Sequence, residues 1–135
     1  MKKSLYGALA AALGLSAAVA SAQIPAPSPN QCTTSTCRVF ILMPADCGSG
    51  ITVSPDPLIV KNSGSVKIEW TVLNPGWDLD SIVIHGDGEK DFTKSPVKGK
   101  TLTAETKTRT GKLYKYDVTV KKGEAKCTLD PTVMN

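Results

Sequence analysis

The stretch VKIEWTV at residues 66–72 decides the fold class. Its apolar side chains stand at every second position, so an extended chain carries one apolar and one polar face. The stretch KLYKYDVTVK at residues 112–121 repeats this alternation, with tyrosines and valines set against lysine, aspartate and threonine. Strands of this kind belong in antiparallel sheets that have one face in the core and the other in water.

Shorter strands are predicted around these two, at residues 38–43, 51–53, 58–60, 79–85, 101–107 and 125–129. The run RVFILM at 38–43 is apolar after its arginine and ends at Pro44, which predicts a buried strand. Pro55 and Pro57 confine their junction to a sheet edge or a bend. No segment after residue 22 sustains a helical period. Seven or eight short strands at this spacing predict an all-β, antiparallel β-sandwich.

Residues 1–22 have the three parts of a signal peptide. Lys2 and Lys3 precede an apolar stretch, and the small-residue site Ala20-Ser21-Ala22 follows it. A membrane anchor is the alternative, but the apolar stretch is about 16 residues, short of the roughly 20 that span a bilayer. A lipoprotein needs a cysteine directly after the site, and the first cysteine is Cys32. We therefore expect a periplasmic or secreted protein with no membrane contact after cleavage.

Residues 23–36 begin with three prolines at alternate positions and are predicted to form a flexible spacer, which leaves residues 37–135 as a single domain. The four cysteines lie beyond the signal peptide, and an even number in an oxidising compartment predicts two disulfides. Spacing leaves three connectivities open. We favour Cys32 with Cys37 and Cys47 with Cys127, since the second pair ties the start of the domain to its end. A zinc site is disfavoured because the chain has no Cys-x-x-Cys pair and one histidine.

The charge is weakly positive and unevenly distributed. The chain has a net charge of +4, and removal of Lys2 and Lys3 leaves about +2, too little to indicate a nucleic-acid or membrane partner. The later half is basic, and could present a face to an anionic polysaccharide, a lipid headgroup or an acidic protein through Lys107, Arg109, Lys112, Lys115, Lys121 and Lys122. The alternative, which we favour, is that these lysines keep strand edges from pairing with other chains. Few aromatic residues accompany them.

The order of the apolar segments resembles the strand plan of cupredoxin-like domains. The segments are Ile51-Thr-Val-x-Pro55, Leu58-x-Val60, Gly64-x-Val66-x-Ile68-x-Trp70 and Tyr114-x-Tyr116-x-Val118-x-Val120. An immunoglobulin-like sandwich is the alternative. The resemblance implies a copper site of two histidines and a cysteine, usually with a methionine. No histidine follows Cys127, and His85 is the only histidine, so one chain cannot build that site.

The most site-like stretch is the glycine- and acid-rich loop at residues 86–91. Asp87, Glu89 and Asp91 are calcium candidates because they stand at alternate positions and supply carboxylate oxygens. An EF-hand loop would require glycine where Phe92 stands and glutamate where Lys98 stands, and ordinary turn chemistry explains the same composition.

Catalytic candidates are few. His85 could act as a base and Ser81 or Ser95 as a nucleophile, but neither serine lies in an activating motif. Trp77 is either an exposed anchor or a core residue beside Trp70. We therefore predict a small exported binding or structural module without copper, cofactor or catalysis. The alternatives are a domain that binds an anionic ligand or Ca²⁺, and a copper protein that completes its site at His85 and a free Cys127 with a partner chain.

Overall fold

The computed structural model describes residues 30–43, 47 and 50–135. The predicted signal peptide and the proline-rich start of the predicted spacer lie outside these residues. The described chain forms eleven strands and one helical turn, in the order β1 (Gln31–Cys32), β2 (Thr36–Leu42), β3 (Thr52–Ser54), β4 (Leu58–Val60), β5 (Val66–Val72), β6 (Asp78–Ile84), α1 (Gly88–Asp91), β7 (Thr93–Lys94), β8 (Thr101–Thr106), β9 (Leu113–Lys122), β10 (Ala125–Leu129) and β11 (Thr132–Met134).

The strands form two sheets. The five-stranded sheet has the order β3-β2-β5-β8-β7, in which β2 runs parallel to β5 and the other pairs are antiparallel. In the six-stranded sheet, β1, β4, β11 and β9 follow one another. The long strand β9 has β6 along one edge, while β11 and then β10 share its other edge. This is the predicted all-β sandwich, but its sheets are not purely antiparallel as predicted, because the pairs β2–β5, β1–β4 and β4–β11 are parallel.

The core lies between the inner faces of the two sheets. Trp70 from β5 meets Tyr116 from β9 edge to face, with ring centroids 5.5 Å apart. Both side chains are fully buried, and burial raises the pKa of the Tyr116 hydroxyl. Trp77 is also buried, which settles the question that the sequence left open in favour of the core.

The strand β2 differs from its prediction. Its side chains alternate between buried and exposed positions along the whole strand. Cys37, Val39 and Ile41 face the core, whereas Phe40 and Leu42 are 39% and 42% exposed on the outer face. The prediction of a fully buried strand was wrong, because an apolar run does not reveal that only one of its two faces is covered.

The domain also begins before its predicted boundary at Cys37. Gln31 and Cys32 form the edge strand β1, which runs parallel to β4, and Thr36 is already part of β2. Residues 30–36, assigned from sequence to the spacer, are therefore part of the fold. The remaining predicted strands are present to within one or two residues, and the structure adds β7 and β11.

Two disulfides join the sheets to each other. Cys32–Cys37 links β1 in one sheet to β2 in the other, with 5.7 Å between the Cα atoms. Cys47–Cys127 links the connection after β2 to β10, with 5.5 Å between the Cα atoms. The favoured connectivity is thus the one observed. No helix in the described part of the chain is long and apolar enough to span a membrane.

Candidate functional site

The predicted catalytic groups are not assembled into a catalytic site. His85, at the end of β6, has its Nε2 atom 3.1 Å from Oδ1 of Asp117 on β9, and about half of the imidazole is exposed. Ser95 donates its hydroxyl to the carbonyl of Thr103 and accepts a hydrogen bond from the Thr103 amide. Across the described residues, no hydrogen bond joins His85 to a serine, threonine or cysteine side chain. In the part of the chain that the structure describes, the histidine therefore has an orienting carboxylate but no hydrogen-bonded nucleophile.

The acidic loop turns its carboxylates toward lysines. Lys112 Nζ lies 3.2 Å from Asp87 and 3.8 Å from Asp91, while Glu89 lies 4.0 Å from Lys94. Asp91 also accepts a hydrogen bond from the Tyr114 hydroxyl. The hydrogen bond to Asp87 raises the pKa of Lys112.

The loop therefore does not collect ligands for a cation. The ammonium group of Lys112 lies between two of the three calcium candidates, and Glu89 is directed to a different lysine. In the portion of the chain covered by the structure, no group of three histidine, cysteine, aspartate or glutamate side chains converges as a metal site would require.

Lysines on the basic strands also pair with carboxylates, which neutralise part of their positive charge. Lys115 pairs with Asp130 at 3.2 Å, and Lys121 and Lys126 both pair with Asp80, at 3.1 and 3.0 Å. Hydrogen bonds from Lys126 and then Lys121 lower the pKa of the Asp80 carboxyl. Three of the six basic candidates, Lys112, Lys115 and Lys121, are thus paired with carboxylates.

The copper alternative required a free Cys127. That residue is bonded to Cys47, and no described cysteine is free. Its side chain is also buried on the inner side of its sheet, whereas His85 is exposed. The two residues therefore do not offer a thiolate and an imidazole to one metal ion.

A concave surface lies at the open edge of the sandwich, beside the Cys32–Cys37 disulfide. It is a groove of about 520 Å³, which falls within the range of small-ligand and peptide sites. We call it the edge groove. Its lining comes from β1 to β4 and the segments that join them, namely Gln31, Cys32, Thr33, Thr34, Thr36, Cys37, Arg38, Phe40, Ser54, Pro55 and Leu58.

The groove exists because β3 is shorter than β2. The register pairs Phe40 with Ser54 and Leu42 with Thr52, so β3 covers only the second half of β2. The chain then leaves the sheet through Pro55 and Pro57, and proline cannot donate to a ladder. Among residues 30–43, 47 and 50–135, no strand neighbours the first half of β2 on that side.

The backbone of β2 points unpaired groups into this space. Lys67 and Leu73 of the β5 segment donate to the carbonyls of Ser35 and Ile41, each at 2.9 Å. Because residues alternate in direction along a strand, the odd-numbered residues of β2 face β5 and the even-numbered ones face the other edge. The Thr36 carbonyl accepts a hydrogen bond from the Thr34 hydroxyl at 2.7 Å. Arg38, the next even residue, has no backbone partner among the described residues.

On the opposite wall of the groove, β1 also has backbone groups that are not paired with a neighbouring strand of the described chain. Ile59 and Lys61 donate to the carbonyls of Asn30 and Cys32, at 2.8 and 2.7 Å. The intervening residue, Gln31, therefore directs its backbone away from β4. Within the described chain, β1 has β4 as its only strand neighbour. The edge groove thus lies between two sheet edges whose backbone groups are unsatisfied by the sheets.

The side chains of the groove are mixed in character. Leu58 and the disulfide provide an apolar floor, and threonine and serine hydroxyls stand at the rim. Arg38 is the one charged residue of the lining; its side chain is 67% exposed and its Nε atom lies 3.7 Å from Glu69. Such a long contact between exposed groups is weak, so the guanidinium is available to a ligand.

An apolar strip adjoins the groove on the outer face of the five-stranded sheet. It consists of Phe40, Leu42 and Leu73, which are 39%, 42% and 48% exposed. The cross-strand neighbours of Phe40 are Ser54 and Thr71, and that of Leu42 is Thr52, so none of them is charged. Neither groove nor strip was predicted, because the whole 38–43 run was interpreted as buried and residues 31–36 as spacer. The proline pair after the short 51–53 strand is the signal that could have revealed the vacant edge.

Comparison with known proteins adds no family to this description. No protein-family model matches the chain, and no curated protein sequence is significantly similar to it. Functional inference therefore depends on the geometry of the chain itself.

Proposed function

We propose that the protein is an exported, non-catalytic binding module, a cupredoxin-like β-sandwich without copper, that holds its partner in the edge groove and against the adjoining apolar strip. Export is supported by the signal-peptide pattern of residues 1–22 and by two disulfides, which form and persist in oxidising compartments.

The observation that carries the proposal is the exposure of Phe40, Leu42 and Leu73 on the outer side of the sheet. The solvated face of an antiparallel sheet normally carries polar side chains. Here three large apolar side chains stand on neighbouring strands next to a groove with unpaired backbone. Contiguous apolar surface with a polar rim is typical of interaction sites.

Among the described residues, no nucleophile is hydrogen-bonded to His85, which supports a binding role over a hydrolytic one. The histidine and Asp117 lie on the six-stranded sheet, whereas the groove is bounded mainly by β2 and β3 of the other sheet and by β1. The edge groove and the candidate base are therefore in different places, and a catalytic site needs them together.

Site-specific photocrosslinking in the producing cells tests the proposal. Phe40 is replaced by p-benzoylphenylalanine, which retains an aromatic ring at the groove. We expect irradiation to give one discrete adduct, and a second substitution in the groove, Arg38→Glu, to abolish it.

The matched control places the same photoreactive residue at Leu113, which is 58% exposed and lies on β9 of the other sheet. Equal adducts from both positions would mean non-specific contact. No adduct from position 40, or an adduct that survives Arg38→Glu, would also contradict binding through the groove.

A further inference from the structure

The vacant half of the β2 edge has the geometry of a site for strand addition. We propose that the partner presents an extended peptide segment. This segment enters the edge groove and pairs with β2 beside Arg38, as a continuation of the line of β3. The inference rests on the proposed function. This mode of recognition uses backbone hydrogen bonds for affinity and alternate side chains for specificity.

Strand addition requires unpaired backbone groups on the receiving strand, and Arg38 provides them. Its N–H and C=O groups point to the groove side of β2, and the nearest ladder partner on that side, Ser54, is opposite Phe40. A backbone segment placed opposite Arg38 would supply one acceptor and one donor. No described residue occupies this position, because the chain leaves the sheet after Ser54 through Pro55 and Pro57.

The length of the site follows from the register. β2 begins at Thr36 and is covered by β3 from Phe40 onward. The open stretch is therefore Thr36 to Val39, four residues, which at about 3.3 Å per residue is roughly 13 Å of extended chain. A short linear segment fits this space, whereas a full edge-to-edge contact between folded sheets would need a longer free edge.

The side chains define the chemistry of the peptide. A residue whose side chain turns inward meets Leu58 and the Cys32–Cys37 disulfide, so it should be apolar. A residue whose side chain turns outward stands beside Arg38 and Phe40. Opposite charges directly across a strand pair are favourable, so an acidic residue is expected opposite Arg38. The preferred ligand is an extended peptide in which apolar and acidic residues alternate.

A random twelve-residue peptide library displayed on phage, panned against the oxidised full-length mature protein, provides the probe. We expect enriched peptides to share an alternation of apolar and acidic residues. In hydrogen exchange of the uniformly ¹⁵N-labelled protein, the Arg38 amide should slow by about 100-fold when the synthetic peptide is present at 100 times its Kd. The amide of Gly123, in the exposed turn between β9 and β10, should not change.

N-methylation of the peptide gives the sharpest readout because it leaves the protein unaltered. Each peptide amide is methylated in turn. Alternate amides of an added strand face β2, and in the open stretch only Thr36 and Arg38 face the groove. We therefore expect methylation to reduce affinity, by about tenfold or more, only at the peptide amides opposite these residues, with little effect at the amide between them or at those beyond the stretch.

Two protein variants separate the charge from the backbone donor. Arg38→Ala removes the guanidinium and keeps the N–H group, whereas Arg38→Pro also removes that group. Edge strands tolerate proline where the N–H faces away from the sheet. We expect Arg38→Pro to bind about tenfold more weakly than Arg38→Ala. If Arg38→Pro does not fold, the N-methylation pattern decides.

The proposal is overturned if no peptide is enriched, if methylation shows no alternation, or if the Arg38 amide is unprotected by a bound peptide. It is equally overturned if light scattering shows that the protein dimerises and that Arg38→Pro makes it monomeric, because the occupant would then be a second copy. Groove-dependent photocrosslinking together with any of these results would leave the binding function standing and reject only the strand-addition mode. Loss of the crosslink itself would reject the function.

Discussion

At the scale of single residues, Lys100 shows how one side chain closes a turn. Its ammonium group donates to the carbonyls of Asn74 and Trp77, at 2.5 and 2.6 Å, and so holds the connection between β5 and β6. The side chain of Asn74 in turn bonds the amide and the carbonyl of Met43, at 2.6 and 2.8 Å. Residues from three segments are thus joined at one end of the sandwich through polar groups alone.

Replacement of this lysine should destabilise the fold. Lys100→Met keeps the aliphatic stem but leaves two partly buried carbonyls without a donor, and hydrogen bonds to charged groups contribute about 1.5–3 kcal/mol each. We expect a loss of about 2 to 3 kcal/mol in the free energy of unfolding, measured by urea denaturation with tryptophan fluorescence. Lys98→Met, at an exposed position two residues earlier, is the control and should cost little. Equal losses from the two variants would contradict the role given to Lys100.

At the scale of elements, the strand edges differ in whether other groups cover them. The free edge of β6 is covered, because Lys94 donates to the carbonyl of Ile82 at 3.2 Å and Leu79 donates to the carbonyl of Gly99 at 3.0 Å. Covered or interrupted edges protect a sheet protein from unwanted pairing. The first half of β2 lacks such cover, which makes it exceptional among the longer strands.

The alternation along β2 gives a prediction that compares adjacent residues. Ile41 is fully buried, so Ile41→Ala should lower the free energy of unfolding by about 2 to 5 kcal/mol. Phe40→Ala should cost about 1 kcal/mol or less, although the side chain removed is larger, since much of it is in water. Urea denaturation of the two variants measures both values. A larger loss from Phe40→Ala would show that the outer face is packed against something in the isolated protein.

At the scale of the whole molecule, the two disulfides connect the sheets at different separations along the chain. Cys47 and Cys127 are 80 residues apart, and Cys32 and Cys37 only 5. In the loop-entropy account, the longer loop restricts the unfolded chain more strongly. The long-range pair should therefore contribute more to stability than the local pair.

Serine replacement of each pair tests this difference. We expect loss of the Cys47–Cys127 bond to lower the free energy of unfolding by about 4 to 5 kcal/mol, and loss of the Cys32–Cys37 bond by about 2 kcal/mol. Denaturant midpoints of the two double-serine variants supply the comparison. A greater loss from the short-range pair would mean that the bond beside the edge groove acts on the native structure rather than through the unfolded chain.

The sequence by itself determined the fold class and most strands, and it left three cysteine connectivities open, of which the favoured one is observed. VKIEWTV at residues 66–72 and the tyrosine–valine alternation before residue 122 predict strands because side-chain direction along an extended chain is local and has a period of two. The turns can be predicted for the same reason, since the glycine, asparagine and proline residues that form them affect the backbone only within a few positions.

Only the tertiary structure decided which faces are covered and which edges are vacant. Phe40 and Ile41 are both apolar, and nothing local distinguishes the exposed one from the buried one. The distinction depends on which face the second sheet covers. Likewise, the groove beside Arg38 arises from the unequal lengths of β2 and β3 and from β1 pairing with β4, contacts between segments far apart in the chain. Periodicity reports the direction of each side chain, but only the assembled sheets determine what stands opposite it.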